Sequence, residues 1–162
     1  RAYVLGISGG VASLTAGLLA QSAVKELRRT GSECEFLAVR LPYGIQSDEH
    51  DAQLALSTIK PDRTVAINVR PATDALWAEL TYSGYDPVDP HDRGRALGNV
   101  KARQRMIAQF ALAGSLGGLV IGTDHAAEAV MGVFTRFGDG AADVLPLSGL
   151  NKRRARAIGV HL

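Results

Sequence analysis

Short apolar runs alternate along the chain with longer stretches whose apolar residues recur every three or four positions. "YVLGI" (Tyr3 to Ile7) is short and nearly all apolar, and predicts a buried strand. A helix is predicted next over 13–29, with Leu14, Leu18, Leu19, Ala23 and Leu27 on or near one face and Gly31 as a stop. "FLAVRL" predicts a second strand over 36–41, ended by Pro42. "SDEHDAQLALSTI" predicts a helix with Ser47 as N-cap and acids in its first turn. "TVAIN" predicts a third strand over 64–68, and residues 71–80 a helix. "SGYDPVDPHDRGRALGN" is dense in Gly, Pro and Asp and reads as a loop. After it come a helix over 99–113 and a fourth strand in "GGLVIGT". "DHAAEAVMGVF" predicts a short helix, "TRFGDGAAD" a glycine-rich turn, and residues 151–158 a last helix.

Strands alternating with helices imply βαβ units: one α/β domain over 1–162, a doubly wound parallel sheet with helices on both faces. Such sheets bind ligands beyond the carboxyl ends of their strands. Those ends read "GISGG", "RLPYG", "NVRP" and "GTDHAAE", and the polar residues gather there.

Composition narrows this reading mainly by exclusion. A chain of 162 residues is long enough for a proper core, and a net charge of +2 is too small to argue for nucleic acid or a membrane surface. One cysteine, Cys34, excludes an internal disulfide and an all-cysteine zinc site. Apolar runs fall short of the ~20 residues of a membrane helix, and nothing is built like a secretory leader. A cytoplasmic protein is expected. The chain opens at Arg1 directly on a strand and stops at "GVHL" without a closing element, which reads as terminal segments lacking.

The chemistry concentrates in "LGISGGVAS", Leu5 to Ser13. Gly9 and Gly10 let the backbone turn sharply and approach an oxyanion. Their N–H groups, the positive end of the following helix and the hydroxyls of Ser8 and Ser13 all favour phosphate. The loop is neither G-x-x-x-x-G-K-[ST] nor G-x-G-x-x-G. A tight strand-to-helix turn with a good N-cap would look similar, so the loop alone does not decide.

The loop and three longer blocks share a resemblance. "SGGVAS" resembles the SGGxDS pyrophosphate loop of N-type ATP pyrophosphatases. "LAVRLPYGIQSDEHDAQLAL", "GNVKARQRMIAQFALAG" and "VIGTDHAAEAVMGVFTRFGDGAADVLPLSGLNKR" resemble ammonia-dependent NAD synthetase, within the adenine-nucleotide alpha-hydrolase-like, Rossmann-like fold. The similarity runs from Leu5 to Arg154 and weakens over 82–97. It implies a magnesium-dependent enzyme. Such an enzyme adenylates deamido-NAD with ATP, then lets ammonia displace AMP, with pyrophosphate as the other product.

Residue by residue, the resemblance implies an ATP loop over Gly6, Ile7, Ser8, Gly9, Gly10, Val11, Ala12 and Ser13. It implies ATP contacts at Arg40, Gln46, Thr123 and Lys152, and Mg2+ at Glu128. Deamido-NAD falls to Arg103, Arg136 and Asp143, in a site shared across a homodimer. Asp139, in "FGDG", lies where a carboxylate would help orient ammonia or the adenylate, and with Lys152 it completes the catalytic set. Each has a plainer reading: a strand-end ion pair for Arg40, a helix N-terminal acid for Glu128, a solvated basic patch for Lys152 with Arg153, Arg154 and Arg156, and an exposed helix face for Arg103 and Arg105. His125 is read as structural. Met106, Ile107 and Phe110 fit core or interface equally.

One position departs from the family pattern. Its loop carries an aspartate, a magnesium ligand, where this chain has Ala12. Three explanations compete: a deliberate change, a naturally impaired protein, or another acid such as Asp139 in its place. The alternatives are a catalytically silent ATP-binding relative, or a different N-type ATP pyrophosphatase.

Overall fold

The computed structural model describes residues 1–162 except Ser47, Asp86, Val88, Val133 and Asp139. Strand β1 (Ala2–Gly6) runs into helix α1 (Val11–Arg29), then β2 (Glu35–Arg40), α2 (Glu49–Ile59) and β3 (Arg63–Ala66). Helices α3 (Arg70–Tyr82) and α4 (Pro90–Ser115) lead to β4 (Leu119–Ile121), followed by α5 (Ala126–Met131) and α6 (Lys152–His161). The strands form one parallel sheet in the order β3-β2-β1-β4. Strand order therefore reverses between β1 and β4, the switch point where such sheets bind ligands.

Register sorts the side chains onto two faces. Val4 stands level with Leu37 and Val120, and Leu5 with Ala38 and Ile121. The first set packs under α3 and α4 with Val39, Val69 and Ala113. The second packs under α1 and α2 with Ala16, Val24, Leu56 and Ile59. Both faces are thus covered, as the alternating pattern predicts.

The structure corrects two expectations here. The most deeply buried positions of α1 are Ser13, Thr15, Ala16, Gly17, Ala20, Gln21 and Val24, with Leu14, Leu18 and Leu19 half-buried against the same core. Small side chains let the helix lie close on its neighbours; a Cβ at Gly17 would meet Ile59 Cδ1 at 2.5 Å. Leu19, Ala23 and Leu27 line an apolar groove beside β4. Residues 90–98, read as loop, are the first turns of α4. Asp89 caps that helix, accepting from His91 N–H at 2.8 Å and Asp92 N–H at 3.2 Å, and Pro90 opens it. Ser47, read as the cap of α2, lies outside the described residues; the residue at the cap is Asp48, whose side chain makes no capping bond.

Candidate functional site

A cavity of about 190 Å³ opens at the carboxyl end of the sheet. The loop after β1, the end of β2, the start of α2, the end of β4 and one face of α4 wall it. Among the residues singled out in the sequence, Gly6, Ile7, Ser8, Ser13, Arg40, Gln46 and Thr123 line it.

The loop is held by its own serines. Ser13 Oγ donates to Gly10 O at 2.9 Å and accepts from Ser8 N–H at 3.3 Å; the two hydroxyls stand 3.2 Å apart. Gly10 is the N-cap of α1 and supplies no side-chain bond, so the first-turn N–H groups of Val11, Ala12 and Ser13 keep their anion-binding character. The two glycines differ. Gly9 has φ +86°, and a Cβ there would come within 2.7 Å of the backbone of Asp51 and Ala52 in α2. A Cβ at Gly10 would touch only Ser8 Oγ, at 3.4 Å. Gly9 is therefore needed to seat the loop on α2, whereas Gly10 only keeps the cap open.

Arg40 ends β2 and pairs with Glu49 in α2, the ion pair its plainer reading foresees. Its Nε is buried and has no hydrogen-bond partner. An unsatisfied guanidinium N–H on a cavity wall suits an anionic or strongly accepting ligand. Gln46 Oε1 accepts from Tyr43 N–H at 3.0 Å, which folds the β2–α2 loop over the cavity. That loop is clamped from below: Tyr43 hydroxyl donates to Asp74, and Lys101 Nζ sits 3.9 Å from the Tyr43 ring centre. The hydrogen bond from Tyr43 holds the Asp74 carboxyl below its ordinary range, and the same bond pushes the Tyr43 phenol up.

Helix α4 contributes residues that the sequence places in no site, Arg105 among them, which reads there as part of an exposed helix face and is half-buried here. Lys101, Arg105 and Gln109 stand four apart and so share one stripe. Arg105 donates from Nε to Leu41 O at 2.9 Å, and Gln109 Oε1 accepts from Gly6 N–H at 2.7 Å. Both line the cavity. Their signal in the sequence was a polar stripe at a spacing of four, which also fits an exposed charged face.

Arg103, Arg136, Glu128, Asp143 and Lys152 are not among the residues lining this cavity. Arg103 Nε donates to the Arg136 carbonyl at 3.2 Å, so α4 holds the backbone at Arg136 on the exposed side. Glu128 folds back on its own helix: Oε2 accepts from His125 N–H at 3.3 Å and Oε1 lies 3.5 Å from His125 Nε2. That is the role its plainer reading gives it. His125 is buried, with Nδ1 lacking a partner. Asp143 accepts from Val120 N–H at 2.8 Å and so satisfies the outer edge of β4. Lys152 is exposed at the start of α6, a helix fastened to the cradle helix by Thr15 Oγ1 donating to Ala155 O at 3.1 Å. Asp139 lies outside the described residues. Among the described residues no trio of His, Cys, Asp or Glu is placed to hold a metal ion, and no helix is long and apolar enough to cross a membrane.

A parallel sheet wound in this order, with an oxyanion-seeking loop at its switch point and an arginine on the neighbouring strand end, defines an α/β protein with an anion-seeking cavity at the carboxyl end of its sheet. The comparisons narrow the class. The family model for NAD synthase matches residues 1–162, and the chain belongs to that family. It is 60% identical over 159 residues to an NH(3)-dependent NAD(+) synthetase of Streptomyces coelicolor, covering 98% of this chain and 58% of that protein. Against the synthetase of the same name from Burkholderia ambifaria it is 58% identical, over 98% and 56% respectively. The fold superposes on the crystal structure of NAD+ synthetase from Burkholderia pseudomallei with a TM-score of 0.90 and 56% identity, over 99% of this chain and 58% of that one. NMN synthetase from Francisella tularensis gives 0.78 and 34%, over 98% and 60%. The chain thus spans somewhat over half the length of the relatives it matches. These neighbours share the adenine-nucleotide alpha-hydrolase, Rossmann-like fold.

Proposed function

We propose that this chain is the ATP pyrophosphatase domain, over 1–162, of an enzyme that amidates deamido-NAD to NAD with ammonia. The observation that supports it is the one cavity where Ser8 and Ser13 of the β1–α1 loop meet Arg40, Gln46 and Thr123. An oxyanion cradle beside a nucleoside wall is what adenylation needs.

In this reading the deamido-NAD carboxylate attacks the α-phosphorus of ATP and expels pyrophosphate. The N–H groups at the start of α1 and the Ser8 and Ser13 hydroxyls receive the charge that grows on the leaving group. Arg40 and Gln46 hold the nucleoside, and Thr123 and Lys152 add ATP contacts. Ammonia then attacks the acyl adenylate, AMP departs, and the ammonium proton is released. Arg103 and Arg136, linked by the bond from Arg103 Nε to the Arg136 carbonyl, and Asp143, through the oxygen not bonded to Val120, take the dinucleotide. Asp139 is assigned to orienting ammonia. A homodimer completes the deamido-NAD site, and the exposed Val130, Met131 and Phe137 beside Arg136 suit such a face. A cytoplasmic location goes with this reading.

Magnesium takes one or two carboxylates together with substrate phosphates. Glu128 offers one carboxylate, 39% exposed in its helix cap, and position 12 offers none, so phosphate oxygens and water make up the rest. The ion would neutralise charge on the triphosphate.

The test is NAD formation from deamido-NAD, ATP, magnesium and ammonium, run beside Ala12→Asp. The variant is expected to work roughly 100-fold faster, because it restores a carboxylate at the triphosphate. Failure of both proteins to make NAD or to bind ATP would overturn the assignment.

A further inference from the structure

Arg105 brings a second guanidinium to the cavity, and the reading above gives it no part. Its Nε–H is spent on Leu41 O at 2.9 Å, which fixes the group against the end of β2 while the side chain lines the cavity. Arg40 has a counter-charge in Glu49. Among the described residues no carboxylate stands within ion-pair distance of Arg105. The other acid on the wall, Asp48, accepts from Gln46 Nε2 at 3.3 Å. A partly buried guanidinium with donors to spare and no counter-ion is stabilised when an anion binds.

Its place says which anion. One turn along α4, Gln109 sits at Gly6, where the cradle begins. Arg105 itself sits at Leu41, directly after Arg40 on the nucleoside side. We infer that Arg105 grips the phosphate next to the nucleoside, between the adenosine wall and the cradle. The inference rests on the nucleotide reading of this cavity and adds a phosphate-binding residue to it.

The test is calorimetric titration of adenosine, AMP and ATP into the chain and into Arg105→Gln and Arg105→Lys. AMP makes the readout independent of turnover and of the residue at position 12. The Gln variant should bind AMP and ATP about 30-fold more weakly, the size of a lost charge-assisted contact. Adenosine affinity should stay within about twofold, since no phosphate is present to be gripped. The Lys variant keeps a cation without the fork and should lose about fivefold for AMP; it decides the matter if the Gln variant does not fold. A role limited to holding Leu41 would weaken adenosine by the same factor as AMP, and that result overturns the inference, as does unchanged AMP affinity. If the parent chain binds neither AMP nor ATP, the nucleotide reading and this inference fall together. If the parent binds both and only the variant pattern fails, the reading stands alone.

Discussion

The two ends of the sheet are built on opposite principles. At the amino end Asp62 accepts from Arg28 Nη1 and Nη2, at 2.9 and 2.8 Å, and from Phe36 N–H at 2.8 Å. That carboxylate ties α1, β2 and the α2–β3 connection into one knot with its charge matched. Burial pushes the Asp62 carboxyl up, but the bonds from Arg28 and Phe36 outweigh it and hold the group below its ordinary value. At the carboxyl end Arg40 Nε and His125 Nδ1 are buried without partners, α1 starts without a side-chain cap, and Arg105 has no counter-charge among the described residues. The contrast lies in charge: the amino-end carboxylate is matched by Arg28, whereas the cavity wall keeps a buried Arg40 Nε–H without a partner; Gln21 Oε1, beside Asp62, is the buried atom left unpaired at the scaffold end. An unpartnered guanidinium N–H on a cavity wall marks the binding end.

Four substitutions test that division. Gly9→Ala should break it, because Gly9 lies at the binding end yet carries stability. The added Cβ meets α2 backbone at 2.7 Å with φ at +86°, so a loss of about 2–4 kcal/mol is expected in denaturant unfolding. Arg40→Met should sharpen it. ATP affinity should fall about 30-fold while the melting temperature stays close to that of the parent, since the variant removes an unsatisfied buried N–H. Asp62→Asn should do the reverse, costing about 1–2 kcal/mol with nucleotide affinity unchanged. Its pH signature has a definite sign. The folded pKa lies below the unfolded one, so the stabilisation is complete above the ordinary value of 3.8 and is lost as pH falls through the lowered folded value. A melting-temperature profile over acid pH should therefore be flatter in the variant. Gly10→Ala is the smallest, with a stability change under about 0.5 kcal/mol, because the new methyl finds only Ser8 Oγ at 3.4 Å.

Much of this was legible in the sequence, and the failures have physical causes. Apolar runs located β1 to β4 to within a residue or two, because strands buried on both faces have little choice of composition. The leucines of α1 that were read onto one face include Leu14, Leu18 and Leu19, which do pack on the core, but the deepest positions went unmarked because leucines outweigh glycine and alanine in any hydrophobic pattern. Close packing here rewards the small residues, as Gly17 against Ile59 shows. The start of α4 was hidden by Gly94 and Gly98; a Cβ at either would meet open space, so the helix passes through them at only a propensity cost. In the site, the residues at strand ends were found, because the fold class says where to look. Glu128 and Asp143 were singled out for ligands, yet their visible bonds are to His125 and to Val120. A carboxylate serves backbone N–H groups as readily as it serves metals, and residue type does not distinguish the two. Arg105, read as an exposed helix face, and Gln109 were not placed at the site because their partners, Leu41 O and Gly6 N–H, lie 64 and 103 positions away.

Helix α4 is also a gauge. Its 26 residues make a rod about 39 Å long, and a single row of teeth at positions 101, 105 and 109 engages Tyr43, Leu41 and Gly6 in turn. The spacing between the β2–α2 loop, the end of β2 and the end of β1 is thereby set by the pitch of one helix. Insertion of one residue between Lys101 and Arg105 would turn the teeth about 100° out of mesh on one side of the break. The three cavity walls that this row gauges would lose their calibration at once, although no residue lining the cavity had been changed.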